Sequence, residues 1–330
     1  MKQKVLVTRA VFPEVLARLA EHFDVESNPD DHTWSAEELR QRLQGKAGVF
    51  ATGSERIDAA LLDANPQLKV VANMAVGYNN IDVEACTARG VLVTNTPDVL
   101  TETTADFGFA LMMAAARRMA ESERFLRRGQ WTKWSYDMLT GSDVHGATLG
   151  VLGMGRIGQA IARRGALGFG MRVIYHNRSP LEAGIEATLG ARYVNKQALL
   201  READHLVIVV PYSAASHHAV GAAELALMKA TATLTNIARG GVVDDAALAA
   251  ALRDGRIAAA GLDVFEGEPK VHPDLLTVPN VVLTPHIASA TVATRRAMAT
   301  LAADNLIAAL DCGPLAGKPP TPVNAPDTPT

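Results

Sequence analysis

The sequence predicts an α/β protein of two doubly wound parallel sheets, and three observations carry that reading. Short β-branched runs alternate with longer stretches of helical period, the pattern in which each helix returns the chain to begin another parallel strand. The alternation occurs in two separate series, the second opening on a glycine-rich turn between an apolar run and a helix-forming one. At 330 residues the chain is too long for one ordinary core, so two series mean two domains.

In the first series "KVLVT", "FDVES", "AGVFAT", "LKVVANMA" and "VLVTN" read as strands, with helices over 13–21 and 36–43. One long helical segment, 102–128, leads away from it. The second series reads "TLGVLG", "RVIYHN", "ARYV", "HLVIVVP", "ATLTNIA", "AAAGLDVF" and "NVVLTPH". A closing helix over 289–310 returns to the first unit. The expected domains are therefore 1–101 together with 287–330, and 102–286 inserted between them, with a cleft where they meet. Six of the 16 prolines follow Cys312, so that tail reads as an extended strap or as disorder rather than helix.

Composition narrows the function. With 48% hydrophobic and 20% charged residues and a formal charge of -3, both signs interspersed, the chain is an ordinary globular one with no basic field for nucleic acid. Cys86 and Cys312 have neither paired nor metal-ligand spacing, which argues against a disulfide framework and a metal site, and for a reducing, cytoplasmic compartment. No apolar run reaches the 18 residues a membrane helix needs, and no signal segment is expected from "KVLVT".

In "GVLGMGRIGQA", Gly153 permits the tight turn after the strand, Gly155 lets backbone approach a pyrophosphate, and Gly158 lets the helix pack on the sheet. Arg156, Ile157 and Gly158 open that helix, whose first N–H groups lack partners and lie at the positive end of the dipole, so the turn suits a dinucleotide. The next strand, "MRVIYHNRSP", ends in Asn177, Arg178 and Ser179 where users of NAD place an acid on the ribose hydroxyl. An acid there would repel a 2′-phosphate, whereas Arg178 can pair with it and Ser179 donate to it. NADP(H) is therefore the expected cofactor and NAD(H) the alternative, with a solvated loop arginine as the rival reading.

Three later segments converge on one chemistry. "TLTNIARGGVVD" places Arg239 after a strand and before two glycines, where a guanidinium can fork a carboxylate, though a salt-bridged surface arginine is the plainer reading. "GLDVFEGEP" offers Asp263, Glu266 and Glu268, which solvation alone would explain. "VVLTPHIASAT" ends a strand on His286. A lone histidine is more often structural. In this order, and with "MAVGYNNIDVEA" and "NTPDVLTETTADFGFALM" upstream, the segments resemble the D-isomer-specific 2-hydroxyacid dehydrogenase family over nearly the whole chain. Within it they look most like glyoxylate/hydroxypyruvate reductases and the bacterial 2-ketogluconate reductase branch.

The resemblance implies a Rossmann-type cofactor domain inserted in a flavodoxin-like substrate domain, and reduction of small 2-oxo acids such as glyoxylate, hydroxypyruvate or 2-ketogluconate. It implies that Arg239 binds the carboxylate and polarises the oxo group, His286 donates the proton, and Glu268 holds the imidazole. Backbone N–H groups of Val76 and Gly77 would bind the carboxylate as well. Thr104, Pro211, Ser213, Ile237, Asp263 and Ser289 would line the nicotinamide, its ribose or the phosphates, with a cap or turn role as the rival for each. Asn79 and Ala288 depart from the family's usual Asp and Gly, which bears on substrate fit. A homodimer is implied, with Trp131 and Trp134 near the partner's site or simply packed in the interface. An NAD-linked short-type hydroxyacid dehydrogenase is the nearest alternative; a dinucleotide-sensing corepressor is the alternative of a different class.

Overall fold

The β-branched runs become two parallel sheets in the computed structural model, which describes residues 2–324. Those residues divide into one unit drawn from Met1–Leu100 and Thr291–Thr330 and another spanning Thr101–Ala290. In the first, β1 (Lys4–Val7), β2 (Asp24–Glu26), β3 (Gly48–Ala51), β4 (Val70–Asn73) and β5 (Leu92–Thr94) lie in the order β2-β1-β3-β4-β5. This is the flavodoxin-like order. β3 and β4 are buried at every position because helices cover both faces. Those helices are α1 (Pro13–His22), α2 (Ala36–Arg42), α3 (Ala59–Asp63), α4 (Val83–Ala88) and the C-terminal helix Val292–Ala309. Ser35 and Glu38 close a capping box at α2, and Asp58 and Asp82 cap α3 and α4. The C-terminal helix packs so near β3 that a Cβ on Gly48 would lie 2.7 Å from Leu306.

The tail runs extended along β5 rather than forming a helix. Val323 donates to the Val93 carbonyl, Val93 to the Asn324 side chain, and Thr321 to Asn305. Of its prolines, Pro326 and Pro329 lie outside the described residues.

In the second unit, β6 (Thr148–Leu152), β7 (Arg172–His176), β8 (Ala191–Tyr193), β9 (His205–Ile208), β10 (Thr233–Asn236), β11 (Ala259–Leu262) and β12 (Val281–Leu283) lie in the order β12-β11-β10-β9-β6-β7-β8. The order reverses at β6, between β7 and β9, which is the Rossmann switch point, where a crevice opens at the carboxyl ends of the strands. The helices are α5 (Thr101–Ala116), α6 (Met119–Arg127), α7 (Arg156–Arg163), α8 (Ala183–Leu189), α9 (Lys196–Glu202), α10 (Ala222–Leu225) and α11 (Asp245–Arg253). The single helix expected over 102–128 is two. Arg118 adopts the left-handed conformation at φ 51°, and the Ala116 carbonyl accepts from Ser142 instead of continuing the helix. No described helix is long and apolar enough to cross a membrane.

Candidate active site

The candidate side chains of the second unit gather mainly at the carboxyl ends of its strands. After β6, Gly153 takes φ 101° and a Cβ there would lie 2.8 Å from the Val210 backbone nitrogen. Gly158 brings α7 onto the turn, since its Cβ would meet the Gly153 carbonyl oxygen at 2.3 Å. Nothing lies within 4 Å of a Cβ built on Gly155, which precedes the first turn of α7, at Arg156, Ile157 and Gly158, with no side-chain cap. An open glycine beside uncapped N–H groups fits a pyrophosphate. Gly158→Ala is expected to cost on the order of 1–3 kcal/mol in stability. It should also weaken dinucleotide binding about tenfold, the factor that corresponds to about 1.4 kcal/mol of lost affinity. Thermal unfolding and a fluorescence titration with cofactor check this; an unchanged dissociation constant would mean the close approach is unnecessary.

At the next strand end the Asn177 side chain accepts from the Met154 N–H at 2.6 Å, tying the strand tip to the glycine turn. Arg178 and Ser179 follow as exposed residues. Beyond β9, Pro211 is exposed and its carbonyl accepts from Ser216, while Ser213 caps the short turn 214–216. Ile237 is buried against α5, where a Cβ on Gly108 would lie 2.5 Å from it. Thr104 is also buried, its hydroxyl without a hydrogen-bond partner among the described residues. Ser289 is half-buried.

Arg239 follows β10 in a turn clipped by Asn236, whose side chain accepts from Ala238 and donates to the Arg239 carbonyl. Gly240 permits the next contact: a Cβ there would fall 1.7 Å from the Phe265 carbonyl oxygen. That approach sets the acidic loop beside the Arg239 turn. The three acids of that loop then separate. Glu266 turns to His218 at 3.0 Å. Glu268 accepts from the Phe265 N–H at 2.9 Å with one oxygen and meets His286 Nδ1 at 2.7 Å with the other. Burial alone would raise the Glu268 pKa, but the His286 hydrogen bond and charge, the Phe265 N–H and the Arg239 charge together hold it below the usual carboxylate range. Burial lowers the Arg239 pKa while Glu268 opposes the change; a guanidinium keeps its charge regardless.

Asp263 is fully buried, and its oxygens accept from the Thr284 hydroxyl (2.7 Å) and the Ile287 (2.9 Å) and Ala288 (2.8 Å) N–H groups. Burial raises its pKa against those three hydrogen bonds. The loop so bound carries His286 at φ 55°, a conformation uncommon outside glycine that persists where its surroundings impose it. Asp263 thus shapes the loop that presents the imidazole.

The match to a family model for "D-isomer specific 2-hydroxyacid dehydrogenase, NAD binding domain" runs over residues 109–288. The chain is 51% identical to a glyoxylate reductase of Thermococcus onnurineus over 312 residues, 93% of each chain. The chain belongs to the D-isomer-specific 2-hydroxyacid dehydrogenase family. Two crystal structures of similar fold are an NADPH-dependent glyoxylate/hydroxypyruvate reductase from Sinorhizobium meliloti in complex with NADP and malonate (39% identity, TM-score 0.85, 98% of this chain and 97% of that one) and a glyoxylate reductase from Paecilomyes thermophila (32%, 0.87, 98% of each). This dehydrogenase is therefore an oxidoreductase acting on CH–OH donors, and its second unit is the NAD-binding one.

In the first unit of the dehydrogenase, Val76 and Gly77 follow β4. Asn95 donates to the Val76 carbonyl at 2.8 Å and Asn73 to the Gly77 carbonyl at 3.1 Å. Both carbonyls are thereby engaged inside the unit. Sequence reasoning passed over Asn73, Asn95 and Asn236; an asparagine at or just after a strand end is the signal that marks such clips, and a glycine-containing loop follows Asn73 and Asn236.

Proposed function

We propose that the protein reduces glyoxylate, and related 2-oxo acids such as hydroxypyruvate and 2-ketogluconate, to D-2-hydroxy acids with NADPH. The observation that carries this reading is the 2.7 Å pairing of His286 with Glu268 in the cofactor unit, beside the turn that holds Arg239. Gly153, Gly155 and the first turn of α7 would hold the dinucleotide by its pyrophosphate, and its nicotinamide would supply a hydride to C2 of the acid. His286 then donates a proton to the C2 oxygen as charge develops there, and Arg239 forks the carboxylate while its charge polarises the oxo group. Glu268 stays ionised and orients the imidazole through Nδ1. In the first unit, the Val76 and Gly77 amides serve a carboxylate as well, their carbonyls being held away by Asn95 and Asn73. Pro211, Ile237, Thr104, Asp263 and Ser289 belong to the cofactor's surroundings, Asp263 through the loop it shapes.

Preference for NADPH follows from Arg178 and Ser179, which are exposed and make no hydrogen bond or ion pair among the described residues. A charged hydrogen bond to the 2′-phosphate contributes about 1.5–3 kcal/mol, so kcat/KM should favour NADPH on the order of tenfold to a hundredfold. A panel of 2-oxo acids assayed with NADPH and with NADH by loss of absorbance tests substrate and cofactor together. Arg178→Ala should lower the NADPH:NADH ratio by most of that factor, and added salt should lower it in the wild type. Equal use of both cofactors would make Arg178 a solvated loop residue, and preference for NADH would make this an NAD-linked enzyme of the same family.

A cytoplasmic homodimer completes the proposal. Trp131, Trp134 and Tyr136 are 56%, 76% and 83% exposed, an unusual concentration of aromatic surface that a second copy would cover. Light scattering at micromolar concentration should return twice the chain mass.

A further inference from the structure

The segment bearing Arg178 and Ser179 is tied down at both ends by tyrosine hydroxyls. At its far end the Tyr175 hydroxyl accepts the Leu181 N–H at 2.6 Å and donates to Glu186 on α8, also at 2.6 Å. The Tyr175 ring is fully buried, and burial pushes its pKa up to about 12, so the hydroxyl keeps the proton it donates. At the near end Tyr193 donates to the Asn177 carbonyl at 3.2 Å, while the Asn177 side chain holds Met154. The two rings meet edge-on, 5.5 Å between centroids, so the anchors brace one another. Between them only Arg178, Ser179 and Pro180 stand exposed.

We propose that Tyr175 and Tyr193 are positioning residues for cofactor choice: they hold 177–181 in the shape that presents Arg178 and Ser179 to the 2′-phosphate before the cofactor arrives. The inference rests on the NADPH reading above and adds to it the residues that make the loop competent. A loop that visits its binding shape only part of the time weakens affinity by that fraction. The loss falls on NADPH, because the 2′-phosphate is the group that Arg178 recognises and NADH lacks it.

The test measures NADPH and NADH dissociation constants by fluorescence for the wild type, Tyr175→Phe, Tyr193→Phe, Arg178→Ala and Tyr175→Phe/Arg178→Ala. Phenylalanine keeps the buried ring and removes the hydroxyl alone. Tyr175→Phe should raise the NADPH constant about three- to tenfold and the NADH constant less than about twofold, with Tyr193→Phe the milder of the two. In the Arg178→Ala background the same change should add less than about twofold, since the contact it prepares is gone. Equal weakening of both cofactors would show a general structural role and overturn the proposal. An inert Tyr175→Phe beside an effective Arg178→Ala would overturn it while leaving the NADPH reading intact. An inert Arg178→Ala would sink the NADPH reading and this proposal with it.

Discussion

His286→Ala lowers kcat for 2-oxo acid reduction by about 10²- to 10⁴-fold, the range for losing a positioned proton donor. Cofactor affinity should change little, because the imidazole stands on a separate loop from the glycine turn and its pairing is with Glu268. Stability should fall only slightly with it. His286 is exposed, so truncation leaves no cavity, and the cost is confined to alanine being somewhat less at ease at φ 55° than histidine. Single-turnover rates under saturating cofactor read the chemical step without product release. Turnover within a few fold of wild type would remove His286 from the mechanism.

The pH profile tests the partner of the proton donor. The Glu268 pKa is held below the usual carboxylate range, so the pairing with His286 is intact at neutral pH and is lost as pH falls through that lowered value and the carboxylate takes a proton. Reduction should therefore fade on the acid side in the wild type. Glu268→Gln should lower kcat and abolish that acid limb, while a purely structural glutamate would lower activity and leave the limb in place.

Much of this architecture was legible because strand and helix periods are written locally. Every expected β-branched run in the two series forms a strand, and the glycine spacing places the turn at the switch point. The break between α5 and α6 was not legible, since no glycine or proline marks it; its cause is a hydrogen bond from Ser142, remote in sequence. Arg239 and His286 stood out because each follows a strand end, where such folds collect chemistry. Which acid meets His286 was a matter of resemblance alone. Asp263, Glu266 and Glu268 are similar in type and spacing, and only the approach permitted at Gly240 assigns them separate partners. The left-handed backbone at His286 was equally hidden, because the buried Asp263 that imposes it lies more than 20 residues away.

Arg239→Lys tests the carboxylate fork, and both kcat and KM should worsen although net charge is unchanged. A guanidinium offers parallel donors in a plane; an ammonium is a point charge on a flexible stem, so charge survives and orientation does not. Misplacing the acid relative to the proton donor is expected to cost on the order of 10²-fold in kcat/KM. The turn itself should largely persist, because the Asn236 clip engages backbone groups of Ala238 and Arg239, although the guanidinium also donates to the Ala238 carbonyl at 2.8 Å and that hydrogen bond is lost. Substrate identity then decides between a substrate contact and a structural arginine. If Arg239 grips the carboxylate, the amide of the same 2-oxo acid should react poorly with wild type and lose little more in the variant. The acid should lose the full factor. Proportional losses for acid and amide alike would mean that Arg239 only supports the turn, with part of its role lying in the attraction it exchanges with Glu268.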